Sequence, residues 1–471
     1  MKIEELRSSL QNAGVVGAGG AGFPTYKKID ERTETIILNC AECEPLLKAD
    51  QQLLLKHGPE IIRMLSQIAA VTGAGNIIIG IKKAYLKTVA AVLKSLELIK
   101  DSEPEISLGL LDEFYPAGDE VVLIYELTGI VILPGQLPID QGIIVFNVET
   151  VYNIHNYLNH GHPVTDKWVT VMGEAATPST LKIPLGVSAG EVVKAAGGSK
   201  IKEPVYYFGG PMMGYIGSEQ TPITKTTNAI LVLTEEHLLV RRKRKKASIE
   251  IRRASACCCQ CEMCTNLCPR HLLGHPVFPH QFMRSMIYQD FKDPCLLSDI
   301  SFCSSCGICE NFACVQGLSP RSLMEEYKVE RNLSTSYLSS FADSVCEMHG
   351  YKKGFKHREA PPIASRPVLN PGRKYKRVSM ARLLCRLDLV KYKTDAPIKD
   401  TMIAASQVRL MLSQHIGVPS EPIVKAGDKV KKGQPVAVAA KEGLSVALHA
   451  SVSGHISSVT GQYIEIAKGT P

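Results

Sequence analysis

Apolar positions along this chain of 471 residues follow two rhythms in turn. In the first third, short apolar runs alternate with stretches where apolar residues recur every third or fourth position. Residues 2–12, 45–69 and 83–99 carry the helical period, while Thr35–Asn39 and Asn76–Ile81 read as buried strands, with Gly73-Ala-Gly75 turning the chain before the second. That alternation predicts a parallel sheet covered by helices over residues 1–160. The pattern then changes. Lys167–Gly173 and Val205–Phe208 read as strands, Ala189–Ala196 as a short helix and Gly209-Gly-Pro-Met-Met-Gly214 as a tight turn, giving a small α+β module over 165–238. Residues 326–408 are polar, basic and punctuated by Pro361, Pro362, Pro367 and Pro371, and so read as a tethering linker, partly ordered at best. From 409 to 471, short strands with regular turns predict a small β-sandwich. The fold class is multidomain α/β.

The length leaves room for about three domains with ample buried core. Runs such as Asn76–Ile81 and Val121–Leu133 are too short or too interrupted to span a bilayer, and the charged start MKIEELRSSL lacks the apolar core of a signal peptide. The net charge of +8 is concentrated: residues 241–270 hold nine Lys/Arg against Glu250 and Glu262. A basic run can mark nucleic acid, but no aromatic platform is interleaved with this one, so nucleic-acid binding is not expected. Countercharge for a neighbouring anionic group, or docking of an acidic redox partner, accounts for the run better, with a solvated linker that has no specific partner as the alternative.

The neighbouring group is named by the cysteines. Cys258, Cys261, Cys264 and Cys268, followed by Pro269, have the spacing C-x2-C-x2-C-x3-C-P; Cys303, Cys306, Cys309 and Cys314 have C-x2-C-x2-C-x4-C. Three thiolates two residues apart wrap one face of a cubane, and the fourth usually ligates the other cluster of a two-cluster ferredoxin. This predicts two [4Fe–4S] clusters in a ferredoxin-like segment over 250–325, held by Cys258, Cys261, Cys264 and Cys314 and by Cys303, Cys306, Cys309 and Cys268. Thiolate quartets also bind zinc, the alternative reading. Cys257 and Cys259 could shift the ligand register by one position, and Cys295 has no assigned role. Cluster thiols must stay reduced until loaded, which points to a cytoplasmic setting.

Gly17, Gly19 and Gly22 satisfy G-x-G-x-x-G, yet a helical segment precedes them where the dinucleotide fingerprint needs a strand. Lys27 and Lys28 follow, as a phosphate countercharge would require. Read with Asn39-Cys-Ala-Glu-Cys-Glu-Pro45, Tyr115-Pro-Ala-Gly-Asp-Glu120 and Phe146-Asn-Val-Glu-Thr150, the stretch GAGGAGFPTYKK resembles the flavin- and NADH-binding subunit of respiratory complex I. The resemblance implies FMN held by Gly17, Gly19, Gly20, Lys28, Asn39, Glu42, Gly118, Glu120, Asn147 and Thr150, with NADH stacking near Phe23 and Glu44. Tyr26-Lys-Lys28 stands where complex I members usually have Gly-x-Lys-Trp.

A flavin domain, a β-grasp-like soluble-ligand-binding module and a two-cluster segment, in that order, resemble the RnfC component of Rnf electron-transport complexes. That component carries its barrel-sandwich module first; here the module comes last. The arrangement is similar to the cobalamin reductases of propanediol-utilisation microcompartments. It implies electron flow from NADH through FMN and both clusters to a corrinoid, with cobalt reduced from Co(III) through Co(II) towards Co(I), and no side chain acting as general acid, base or nucleophile. It further implies a corrinoid-dependent enzyme or adenosyltransferase and a microcompartment shell protein as partners. An RnfC-like component serving a membrane or ferredoxin partner is the second reading. The tail resembles the biotinyl and lipoyl carriers but has no lysine within Glu442–Ala447, only Lys441 at its border, so it reads as a docking or scaffold module. His271 and His275 beside the first cysteine run read as ordinary surface or supporting residues.

Overall fold

The computed structural model describes residues 1–99, 104–288, 300–330, 368–400, 403 and 405–468. Residues 331–367 of the expected linker, and Cys295, lie outside the described residues.

Helix α1 (Ile3–Asn12) leads into the glycine loop, and strand β1 (Thr35–Cys40) follows it. Then come α2 (Ala49–Thr72), β2 (Asn76–Lys82), α3 (Leu86–Glu97), β3 (Ile106–Leu111), the short β4 (Phe114–Tyr115), α4 (Glu120–Thr128), β5 (Ile143–Asn147) and α5 (Val148–His160). Four strands form a wholly parallel sheet in the order β3-β2-β1-β5. β1 and β2 are apolar nearly throughout because helices cover both faces of the sheet. Chain order runs outward from β1 to β3 on one side and jumps to β5 on the other. The switch point therefore lies between β1 and β5, where Asn39 and Asn147 pair in register. In open α/β sheets such a crevice, beyond the carboxyl ends of the strands, is where ligands bind.

The second module is a mixed sheet of five strands, β6 (Asp166–Gly173), β7 (Ser179–Pro184), β8 (Val205–Phe208), β9 (Tyr215–Gly217) and β10 (Ala229–Leu233), ordered β7-β6-β10-β8-β9 and accompanied by α6 (Ala189–Ala195). Its central pair, β6 and β10, is parallel. Helices α7 (Leu238–Lys243) and α8 (Ala247–Cys257) carry the basic run into the cysteine segment. There the short turns α9 (Met263–Asn266) and α10 (Pro269–Leu272) precede α11 (Pro279–Tyr288) and α12 (Pro320–Glu330).

Residues 368–400 do not behave as a tether. Strand β11 (Val378–Ser379) pairs with β4, helix α13 (Met380–Arg386) follows it, and Arg373 and Arg377 both bridge to Glu126 of α4. Their guanidinium groups also lie over Tyr125 and Phe114. Arg377 also bridges Asp112 at 3.2 Å, so the stretch has the composition of a linker because its cations are spent on two carboxylates and two ring faces rather than flanking an apolar stripe.

The tail forms two small sheets. One contains β12 (Gln407–Met411), β18 (Tyr463–Ala467), β17 (Gly454–Val459) and β14 (Lys429–Val430); the other contains β13 (Glu421–Pro422), β15 (Pro435–Val438) and β16 (Leu448–His449). One continuous core runs from Leu6 and Ile36 through Val169 and Ile230 to Leu410 and Ile466, so the flavin-like domain, the second module and the tail are packed as one body.

Candidate functional site

The glycine loop arches over the β1/β5 switch point. Its backbone enters from the carboxyl end of α1, and the N–H of Ala18 donates to Thr150 Oγ1 in the first turn of α5 at 3.0 Å. A Cβ on Gly19 would lie 2.5 Å from the Asn147 carboxamide, whereas a Cβ on Gly20 would meet nothing within 4 Å. Gly19 is thus small because Asn147 is there, and Gly20 borders open space. That open cradle, beside exposed amides and a helix amino end, fits a phosphate-bearing cofactor.

The floor of the crevice is tied together by the other expected residues. Asn39 Nδ2 donates to the Gly118 carbonyl at 2.9 Å, and the Ala41 N–H donates to Asn39 Oδ1 at 3.1 Å. The Gly118 N–H donates to Cys43 Sγ at 3.0 Å. Lys28 Nζ donates to Glu120 Oε1 at 2.8 Å and to the Val145 carbonyl at 2.9 Å, so two expected flavin contacts are brought together as an ion pair. Glu42 is turned away onto the start of α2, accepting from the Asp50 N–H and Gln51 Nε2. Phe23 is partly exposed, and its carbonyl accepts the Gly17 N–H at 2.9 Å.

Glu44 leaves the crevice floor for the second module. Its two oxygens accept the N–H groups of Met212 and Met213 at 2.8 and 3.0 Å, and a Cβ on Gly210 would collide with its carboxylate. Burial pushes the Glu44 carboxyl up to about 7 against those two hydrogen bonds. The same turn reaches the cysteine segment, since Arg321 Nη1 donates to the Met212 carbonyl at 3.2 Å and the Arg321 guanidinium bridges Glu310 and Glu325.

Two further contacts join crevice and cysteines. Tyr115 Oη donates to the Cys306 carbonyl at 2.7 Å, and Arg270, two residues after Cys268, bridges Asp119 at 2.9 Å. Tyr115 and Asp119 stand in one of the flavin-type motifs without a role of their own there. A tyrosine hydroxyl in an apolar setting, which needs a partner when buried, is the available sequence signal.

The cysteine loops turn through left-handed backbone at Gln260, Glu262, Ser305 and Gly307, which folds each C-x2-C step back on itself. N–H donors face the sulfurs: Gln260 Nε2 to Cys258 at 3.2 Å, the Ser305 N–H to Cys303 and the Leu318 N–H to Cys314, each at 3.4 Å. Burial pushes Cys264 and Cys268 up to about 12, and the thiol adding most to that shift is Cys314 for Cys264 and Cys303 for Cys268. The fourth cysteine of each run therefore faces the other run. Among the described residues, no three His, Cys, Asp or Glu side chains converge closely enough to hold a single metal ion. Cys257 and Cys259 are exposed. His275 is buried, with Nε2 2.9 Å from the Ile132 carbonyl.

The basic run is partly spent inside the protein. Arg242 donates to the carbonyl and side chain of Asn311, and Lys245 to the Gly317 carbonyl, bracketing Cys314.

Comparison with known proteins agrees with this layout. Residues 10–156 match the Nuo51 FMN-binding domain, 257–319 a 4Fe-4S dicluster domain and 387–471 the RnfC barrel sandwich hybrid domain. The chain is 37% identical to the cobalamin reductase PduS of Citrobacter freundii over 99% of its own length and 97% of that protein. The chain belongs to the PduS family. Its identity to the Salmonella typhimurium cobalamin reductase PduS is 36%, over 100% of this chain and 98% of the relative. A component of the Na(+)-translocating ferredoxin:NAD(+) oxidoreductase complex of Acetobacterium woodii is 31% identical over 58% of this chain and 59% of its own. This member of the family is thus an oxidoreductase with an FMN-binding domain and a 4Fe–4S dicluster domain. The third match begins at residue 387, ahead of the expected boundary at 409. None of the described helices is long and apolar enough to cross a membrane.

Proposed function

We propose that this chain takes electrons from NADH and delivers them, through FMN and two [4Fe–4S] clusters, to a corrinoid. One observation carries the acceptor: similarity to two cobalamin reductases runs through every module, while the Rnf-type relative matches 58% of the chain. A β-grasp-like reading of the second module is supported by its parallel central pair β6 and β10.

In this reading the amides of Gly19 and Gly20, with Thr150 at the start of α5, would take the FMN phosphate, Gly17 would shape the loop through its own N–H to the Phe23 carbonyl at 2.9 Å, and Lys28 would supply the countercharge. Asn39, Gly118, Glu120 and Asn147 would line the rest of the cofactor, Glu42 would act from behind them through the start of α2, and Phe23 and Glu44 would lie on the NADH side. FMN, when bound, accepts a hydride's two electrons and hands them on singly. The chain's own work would be to shape the crevice through the Tyr115–Asp119 loop and to join it to the second module through Glu44.

Cys258, Cys261, Cys264 and Cys314 hold one cluster and Cys303, Cys306, Cys309 and Cys268 the other. A cubane uses one thiolate per iron, so its ligands need not converge on one point, whereas zinc needs four sulfurs about 2.3 Å from a single centre. The C-x2-C-x2-C triple, used twice, favours cubanes. Arg242 and Lys245 supply positive charge beside them. The setting we propose is cytoplasmic, inside a microcompartment, with a shell protein and a corrinoid-dependent enzyme or adenosyltransferase as partners.

The test is anaerobic purification with cluster reconstitution, followed by spectra before and after NADH and then after a Co(III) corrinoid. NADH should bleach both flavin and cluster bands, and the corrinoid should restore them as Co(II) bands grow. Bound FMN that NADH cannot bleach would remove the donor; bleached protein that the corrinoid cannot reoxidise would remove the acceptor.

A further inference from the structure

The two cysteine quartets sit in different surroundings. Cys268, Cys306 and Cys309 are at most 9% exposed, and Cys306 shares a core with Tyr115 and Leu46 of the flavin-like domain. Tyr115 Oη is bonded to the Cys306 backbone itself, and Tyr115 leads within three residues to Gly118 on the floor of the crevice. Asp119 holds Arg270 beside Cys268. Both of these contacts between the crevice loop and the cysteine segment thus reach the quartet of Cys268, Cys303, Cys306 and Cys309.

The other quartet faces outward. Cys261 is exposed and Cys258 partly so, and the neighbouring positions from Ser255 to Met263 are otherwise exposed as well. Cys258, Cys264 and Cys314 pack against the helical cluster of α8, α11 and α12, which Cys303 and Cys309 also join, but none of the three shares the core that holds Tyr115 and Leu46. Exposed Arg244, Lys246 and Arg252 lie on the chain leading up to this face.

We infer that the quartet of Cys268, Cys303, Cys306 and Cys309 is the flavin-side station and that of Cys258, Cys261, Cys264 and Cys314 the exit, so the acceptor meets the protein at the Ser255–Met263 face. This rests on the electron path proposed above and gives it a direction. Each step moves one electron and makes or breaks no bond. The first quartet's cluster is oxidised as the second's is reduced, and the second is reoxidised as the corrinoid cobalt gains one electron. The outer loop's exposure lets a bulky macrocycle approach, while burial of Cys268, Cys306 and Cys309 shields the inner cluster from direct oxidation.

The experiment uses the whole reconstituted protein. Ferricyanide with EDTA should strip iron in two phases, the fast one carrying about half the iron, since an exposed cluster is attacked first. Cys261→Ser should abolish the fast phase, and Cys303→Ser should leave only that phase. On NADH addition, Cys261→Ser should still give the electron paramagnetic resonance signal of a reduced cluster, whereas in Cys303→Ser the remaining cluster should stay oxidised over the same seconds. Tyr115→Phe keeps every ligand, so should a cysteine variant fail to fold it carries the kinetic arm alone; it should slow cluster reduction several-fold with iron and FMN content unchanged. A fast phase that survives Cys261→Ser, or cluster reduction lost in Cys261→Ser and kept in Cys303→Ser, overturns the order. Failure of NADH to bleach the unaltered protein would sink the donor reading instead, and the chelation arm would still decide which quartet faces out.

Discussion

Lys225 Nζ, buried, donates to the Gly14 carbonyl at 2.8 Å and shares that grip with the Ala447 carbonyl at 3.0 Å. Gly14 leads into the glycine loop, and Ala447 belongs to the tail segment where carrier proteins display their modifiable lysine. Here Lys441, Glu442 and Gly443 are exposed but the rest of the segment is sealed: Ser445 and Val446 are fully buried, Gln11 Nε2 donates to the Ser445 carbonyl, and the Ile416 N–H donates to the Gly22 carbonyl. The tail therefore braces the loop expected to hold the flavin phosphate. It is a clamp on the crevice, which is the scaffold role expected of it.

Removing the clamp should cost stability. Lys225→Met strands two buried carbonyls, worth about 2 kcal/mol, read as a lower urea midpoint and earlier proteolytic release of the tail. The pH dependence has a fixed sign. Burial holds Lys225 down to about 7, below its ordinary value of about 10.4, so between these limits the unfolded chain binds the extra proton. Stability should rise with pH over that window and the slope should flatten in the variant. His415 and His449, which face it, are both held below their ordinary values by burial and do not titrate there.

Glu44 should titrate where the enzyme works. Its carboxyl is raised to about 7 by burial, with Arg321 and Lys243 and the Met212 and Met213 N–H groups pulling the other way. The unfolded value is about 4.3, so the native state binds more protons between the two and stability falls as pH climbs through that window. Glu44→Gln should remove this slope in denaturant titrations. It should also flatten an inflection near pH 7 in kcat/KM for NADH.

The cluster ligands make a count. Two cubanes give about eight iron atoms per chain; Cys264→Ser should lower the iron to about four. Cys257→Ser and Cys259→Ser should leave it unchanged, because those exposed thiols stand outside the two facing quartets. A fall in iron on changing Cys257 or Cys259 would shift the ligand register by one position.

Short-range signals explain what was legible. The cysteine spacings, the glycine loop and the buried strands β1 and β2 are local patterns, and each stands in the fold where its pattern places it. The crevice also gathers Asn39, Gly118, Asn147 and Thr150, which lie far apart in sequence but belong to motifs with a shared resemblance. What stayed hidden depends on distant partners. Arg373 and Arg377 look like linker charge until Glu126 meets them, and Lys225 has no local pattern at all. Glu44 and Glu42 differ by two positions, yet one turns to the second module and the other to α2, a choice fixed by packing and not by the residues themselves.

Gly19 and Gly20 allow a test that separates fold from cofactor. The Gly19 site is filled by Asn147, so Gly19→Val must push the carboxamide off its place and should destabilise the loop and lower the melting temperature. The Gly20 site opens onto empty space, so Gly20→Val should fold with an unchanged melting temperature. Its side chain would then occupy the space where the phosphate has to approach the amides, and losing even two charge-assisted hydrogen bonds there, at about 1.5 kcal/mol each, weakens binding by roughly a hundredfold. Flavin fluorescence quenching gives the FMN affinity and calorimetry the stability. Weakened FMN binding in Gly20→Val at constant melting temperature is the outcome the cradle requires; unchanged affinity would move the phosphate away from this loop.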